Sequence, residues 1–154
     1  MPRFDELAVG QVASLVTTVD EARVRAFADV SGDTNPMHLD PAFGSLTRFG
    51  GPIAHGMLSA SFISAVIGTT LPGPGAIYVS QLLRFTAPVR PGDVITARVE
   101  VVELYPERRR VRLATTCSNQ GGQTVLTGEA LLVVDDVPGR RAEEYSGQQE
   151  APGL

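Results

Sequence analysis

The chain has 154 residues, 43% of them hydrophobic, and a formal net charge of −4. That is the length of one domain with a core of its own, and an acidic balance with a pI near 5.1 argues against general nucleic-acid binding. No apolar run approaches the ~20 residues of a membrane span, the opening MPRFDELAVG lacks the apolar stretch of a signal peptide, and a lone cysteine, Cys117, leaves no intrachain disulfide to form. A cytoplasmic location is expected on these grounds.

Residues 11–19, QVASLVTTV, are rich in Val and Thr and predict a strand. Asp20 is a candidate N-cap for a helix over 21–30, with Val24, Phe27, Ala28 and Val30 as its apolar positions. Ser31-Gly32 ends that helix, and residues 32–37 are expected to be a turn or loop, with Pro36 biasing Asn35 away from helix. DPAFGSL, 40–46, predicts a short helix with Asp40 as cap and Pro41 at its first position. Gly50-Gly51-Pro52 is a loop. From Gly56 to about Thr70 the side chains are apolar or small nearly all round, the pattern of a buried helix.

LPGPG, 71–75, stops that helix, and the pattern changes to alternation. Residues 76–86, 93–104, 109–119 and 123–134 predict four strands. In the second, Val94, Thr96, Arg98 and Glu100 alternate against Ile95, Ala97, Val99 and Val101. Gly121-Gly122 signals a hairpin between the last two. All 13 basic residues are arginine, and the cluster RRRVR, Arg108 to Arg112, reads as a strand with its arginines facing solvent. The expected organisation is one domain over 1–136 and a polar, flexible tail over 137–154. One apolar helix followed by an antiparallel meander is an α+β layout, with the sheet wrapped around the helix. An unpaired sheet edge and uncovered apolar surface favour a dimer.

Two phrases hold the only two histidines. In SGDTNPMHLD, Asp33 and His38 stand at either end of a tight turn that Asn35 can stabilise. A carboxylate and an imidazole converging on one water make a general acid/base pair. The same residues also read as turn formers beside a surface histidine. In GGPIAHGM, His55 precedes Gly56 at the start of the apolar helix. The first amides of a helix have no internal partners and carry the positive end of its dipole, so Gly56 N–H suits a developing oxyanion. The plain alternative is a packing glycine after an N-cap histidine. Ser59, Ser61 and Ser64 lack the G-x-S-x-G elbow of a serine nucleophile, and Cys117 reads as a small core residue. Two histidines without CxxC or HExxH spacing do not suggest zinc, and no G-x-G-x-x-G follows a strand to suggest a dinucleotide.

Together, FADVSGDTNPMHLD, GGPIAHGMLSASF and LPGPGAIYVSQLLRFTAPVRPGDVITARVEV resemble the hydratase-2 motif of MaoC-like proteins, in the manner of short, single-domain (R)-specific enoyl-CoA hydratases. The resemblance covers roughly residues 10–135. It implies a hot-dog fold, a homodimer, and reversible hydration of a trans-2-enoyl-CoA to the (R)-3-hydroxyacyl-CoA with no metal or redox cofactor. It implies Asp33 and His38 as the catalytic pair, Gly56 as the oxyanion donor, and Asn35, His55 and Ser64 as supporting residues. Arg48, Arg84 and Arg90 are candidates for coenzyme A phosphates or for an acyl-carrier protein. The alternatives are a 3-hydroxyacyl-[acyl-carrier-protein] dehydratase, a non-catalytic acyl-CoA-binding hot-dog module, and, against the motif, a hot-dog thioesterase.

Overall fold

The computed structural model describes residues 4–135, so the tail expected over 137–154 lies outside the described residues. Strand β1 (Val12–Thr18) leads into helix α1 (Glu21–Ser31). The Asp20 side chain caps α1 by accepting the Arg23 N–H at 2.8 Å. Gly32 closes it in the left-handed region at φ 77°, its amide donating to the Ala28 carbonyl. Val24 and Ala28 are buried, but Val30, expected on the same face, is 82% exposed. It sits two residues from Ala28, off the i, i+4 stripe.

The expected loop over 32–37 is corrected in part: its end opens a four-residue helix, α2 (Pro36–Leu39). Asn35 caps α2 by accepting the Met37 N–H at 3.2 Å, and Pro36 occupies the first helical position. The proline that keeps Asn35 out of a helix therefore starts one immediately after it. Helix α3 (Pro41–Leu46) follows directly, capped by Asp40 as expected.

Helix α4 (Gly56–Thr69) is the axis of the molecule. Leu58, Phe62, Ile63, Val66 and Ile67 are buried and pack with Ile95, Val99, Leu113, Leu126 and Leu132 of the sheet. One stripe of α4 is open in the single chain: Gly56, Met57, Ser61, Ser64 and Gly68 are exposed. The helix is thus not covered all round. Its lack of charge marks a face that avoids water without saying what covers it.

The sheet is antiparallel throughout, with β2 (Ala76–Phe85), β3 (Val94–Tyr105), β4 (Arg110–Ser118) and β5 (Thr124–Val134) in the order β1-β3-β4-β5-β2. The expected meander of four consecutive strands holds only for β3-β4-β5. β2 pairs with β5, so the 86–93 connection crosses the end of the sheet to reach β3 on the far side. It is pinned on the way: Thr86 N–H donates to Val125 O, Val89 O accepts Ala54 N–H, and Gly92 N–H donates to Val19 O. The crossing passes the N-terminus of α4, which is why it later walls a cavity there.

β3 over residues 94–101 and β4 along its length alternate between buried and half-buried positions residue by residue. The buried set faces α4. The outer set carries ion pairs, Arg98 with Glu100 and Arg112 with Glu103 and Glu129. RRRVR is therefore only partly strand. Pro106–Arg108 form a 3-10 turn, and Arg109 takes φ 48° with its Nε donating to Val134 O. β4–β5 is a hairpin whose 119–123 loop is gathered by Asn119 Oδ1, which accepts the amides of Gly121 and Gln123. This five-strand sheet around one central helix is the α+β hot-dog arrangement.

Candidate functional site

The extended segment ahead of α4 organises the site. Its backbone is anchored on both sides, Ile53 N–H donating to Met37 O and Ala54 N–H to Val89 O. The Ile53 carbonyl then accepts from His38 Nδ1 at 2.7 Å. Two residues on, His55 Nε2 donates to the Asp33 carbonyl at 2.8 Å. A carbonyl can only accept, so both tautomers follow: His38 carries its proton on Nδ1 and His55 on Nε2. His38 Nε2 is left to accept or donate elsewhere.

Asp33 follows the left-handed Gly32, and its carboxylate Oδ1 accepts the Asn35 N–H at 3.2 Å. Asn35 in turn caps α2, which carries His38. Two successive side-chain turns thus set the spacing that brings the acid and the imidazole together. The His38 and His55 rings lie 3.9 Å apart at 32°, and Phe27 packs tilted on His55 at 5.0 Å.

Asp33, His38 and His55 each place one donor atom within 4.8 Å of the others, the spacing of a metal cluster. The arrangement fits an acid–base pair better. Each imidazole already spends one nitrogen on a backbone carbonyl, which leaves one ring nitrogen apiece beside the carboxylate. The cluster offers three ligand groups, and a tetrahedral ion would need a fourth.

Gly56 opens α4, and His55 makes no side-chain cap bond there. Among the described residues no protein acceptor takes the Gly56 N–H, leaving it for an incoming oxygen. A cavity of about 430 Å³ adjoins it, lined by Gly56, Met57, Ser59, Phe85, Val125 and Leu126 among others, with Arg48 and Phe49 at one side. Asp33 and His38 do not line this cavity; they meet it through Ile53 and the His55–Gly56 step. A Cβ on residue 56 would come within 2.7 Å of the Phe85 ring, so glycine is what allows that ring against the amide.

Of the residues expected from sequence, Asp33, Asn35, His38, His55 and Gly56 are brought together. Ser64 and Arg84 are not part of the cavity wall. Ser64 lies two turns along α4 on the open stripe it shares with Gly56, and Arg84 is exposed on β2. Arg90 braces the loop instead, its Nη2 donating to Phe49 O at 2.6 Å. Sequence reasoning missed Ile53, whose role is a backbone carbonyl that any residue supplies, and Phe85, which only the sheet order brings to Gly56. Cys117 is buried, its Sγ 3.5 Å from Ser59 O, and burial pushes its thiol up to about 12. That makes it a core residue rather than a nucleophile.

A family model described as the MaoC-like domain matches residues 7–121. The chain belongs to the MaoC-like domain family. Among relatives within and around that family, a 3-hydroxybutyryl-CoA dehydratase of Methylorubrum extorquens is 53% identical over 85% of this chain and 83% of its own length. An (R)-specific enoyl-CoA hydratase of Rhodospirillum rubrum is 52% identical over 85% of this chain and 90% of its own. The unliganded R-hydratase PhaJ1 of Pseudomonas aeruginosa superposes with a TM-score of 0.82 at 44% identity, covering 91% of this chain and 96% of that one. This MaoC-like chain thus shares both sequence and fold with them over most of its length.

Proposed function

We propose that this protein catalyses the reversible hydration of a trans-2-enoyl-CoA to the (R)-3-hydroxyacyl-CoA. The observation that carries this reading is the Ile53–Gly56 segment, which ties the His38 ring and the Asp33 backbone and then presents an open amide. The names of the relatives supply the substrate class and the stereochemistry.

In this reading the thioester oxygen sits on the Gly56 N–H. Enolate charge develops there as water adds to C3, and one such donor is worth roughly 10²–10³ in rate. His38 orients the attacking water, whose oxygen bonds to C3 as the Asp33 carboxylate takes one of its protons; that proton is then relayed through His38 to C2, which collapses the enolate and restores Asp33. The reverse sequence dehydrates the product. The reaction is redox-neutral, and its roles fall to Asp33, His38 and Gly56, so we assign no metal or cofactor.

We further propose a homodimer joined through β2. Ile77, Val79, Leu82 and Phe85 are exposed on that edge strand, beside the open stripe of α4. Unpaired edge and apolar surface are buried together by a second copy. A free, reduced Cys117 fits the cytoplasm. No helix among the described residues is long and apolar enough to cross a membrane.

A second reading replaces coenzyme A with an acyl-carrier protein. Arg48 at the cavity favours an anionic partner of either kind. The test is crotonyl-CoA hydration, followed by loss of absorbance of the conjugated thioester and chiral analysis of the product. Matched crotonyl-carrier protein serves as the comparison. Formation of (R)-3-hydroxybutyryl-CoA at the higher kcat/KM supports the first reading. A preference for the carrier protein selects the second, and no turnover of either rejects both.

A further inference from the structure

We infer that His55 is a positioning residue that acts through the backbone of Asp33, and that its Nε2–H, rather than its ring volume, is the functional element. The inference rests on the hydratase reading of the site.

His55 is 2% exposed, so its ring was placed at a desolvation cost that needs an account. Among the described residues its Nδ1 has no partner, and it does not cap α4. The single hydrogen bond the side chain makes among the described residues is the 2.8 Å bond to the Asp33 carbonyl. That bond spans 22 positions of sequence.

The other bonds at Asp33 are local. Its N–H donates to Ser31 Oγ at 3.2 Å and its Oδ1 accepts from Asn35 N, both two residues away. Thr34 N–H likewise returns to Gly32 O. Those contacts shape the turn without tying its Asp33 end to the segment ahead of α4. His38 already has its own tie to residue 53. The side-chain turns set the carboxylate's spacing from His38, and among the described residues His55 is what ties the Asp33 end of that turn to the residue beside the Gly56 amide. Because His55 and Gly56 are consecutive, the turn is referenced directly to the oxyanion donor. Displacing a reacting group by ~1 Å can cost about 10²-fold in rate.

The ring also packs, tilted, against His38 and Phe27, so a packing role must be separated from the hydrogen bond. Three variants do this. His55→Phe keeps a flat ring of similar size and removes the donor. His55→Gln loses the ring and keeps an amide N–H at the height of Nε2. His55→Asn keeps an amide too short to reach Asp33 O. Each is assayed with crotonyl-CoA beside wild type, with a thermal melt.

The expected result is a kcat about 10- to 100-fold lower in His55→Phe, with KM changed less than about threefold because the Gly56 amide and the cavity are untouched. His55→Gln recovers most of the lost kcat. If His55→Phe does not fold, the His55→Gln and His55→Asn pair decides, with Gln expected well above Asn. The inference is overturned if His55→Phe matches wild type, or if Gln is no better than Phe or Asn at equal folded fraction. Wild type inactive on crotonyl-CoA refutes the hydratase reading and the inference with it. An active wild type with an equally active His55→Phe refutes the inference alone.

Discussion

His38 Nδ1 lies 2.7 Å from the Ile53 carbonyl oxygen, which makes Nδ1 the donor and leaves Nε2 as the ring nitrogen able to exchange a proton. The chemistry proposed for His38 is therefore set by a backbone atom on a different segment. Breaking that bond would free the ring to flip and exchange the roles of its nitrogens.

Asp33→Asn keeps a side-chain oxygen that can still accept the Asn35 N–H, so the turn survives while the charge is lost. Hydration of crotonyl-CoA is expected to fall by about 10²–10⁴ in kcat. The melting temperature is expected to stay within a few degrees. Unchanged kcat would remove Asp33 as the base.

Asn35→Ala removes the cap of α2 and leaves the Met37 amide without its acceptor. A lost cap costs about 1 kcal/mol, and the helix concerned is the one that carries His38. Chemical denaturation is expected to show that loss and turnover to fall with it. Asn35→Asp, which can still cap, is expected to recover the stability.

Gly44→Ala would set a Cβ 2.6 Å from Pro52 N and 2.8 Å from Gly51 C, backbone atoms that cannot swing aside. Pro52 precedes Ile53, so the strain is passed to the segment that ties His38. A destabilisation of roughly 1–3 kcal/mol is expected, as for other overpacked sites, with a larger relative loss of kcat than at a remote site of equal cost. Comparing urea midpoints and turnover checks both.

Burial pushes the Cys117 thiol up to about 12 from an ordinary 9.0. The folded chain thus holds this proton while the unfolded chain releases it. Stability is intact below about pH 9 and falls as pH rises towards about 12. Urea denaturation of wild type at about pH 8 and 10.5 is expected to show this drop, and Cys117→Ala to show a smaller one. Tyr78, also raised by burial, contributes equally to both proteins. Native protein is expected to resist iodoacetamide that modifies the unfolded chain rapidly.

Leu82→Glu places a charge on the exposed face of edge strand β2, where Leu82 is 56% exposed in the single chain. The proposed dimer is expected to give way to monomer in light scattering, without loss of secondary structure. A variant that remains dimeric would move the interface elsewhere.

The parts legible in sequence are those whose causes are local. Asp20, Gly32 and the Asp40-Pro41 pair act within a few residues of the helix ends they control, and each end falls where expected. The alternation of 94–101 likewise records a sheet with one face on the core. What escaped depends on partners far along the chain. The move of β2 to the far edge is decided by its pairing with β5, about 50 residues away, and leaves no trace in the composition of either strand. Ser64 and Arg84 carry the right chemistry but lie off the cavity wall, since placement in a wall is a property of the packed sheet. Asp33, Asn35, His38 and Gly56 stand out through the resemblance of SGDTNPMHLD and GGPIAHGM to the hydratase-2 motif, since their own chemistry reads equally as turn formers and a packing glycine.

The crossing of residues 86–93 also bears on redesign. The struts that orient the acid and the imidazole run through residues 33–38 and 53–55, of which Ile53 and Ala54 also line the adjoining hollow, whereas Met57 and Leu126 line it without taking part in those bonds. Scaffold and lining thus overlap only in part: on the proposed reading, exchanging bulk at Met57 and Leu126 would change the room for substrate while the bonds to Ile53 and Asp33 stay in place.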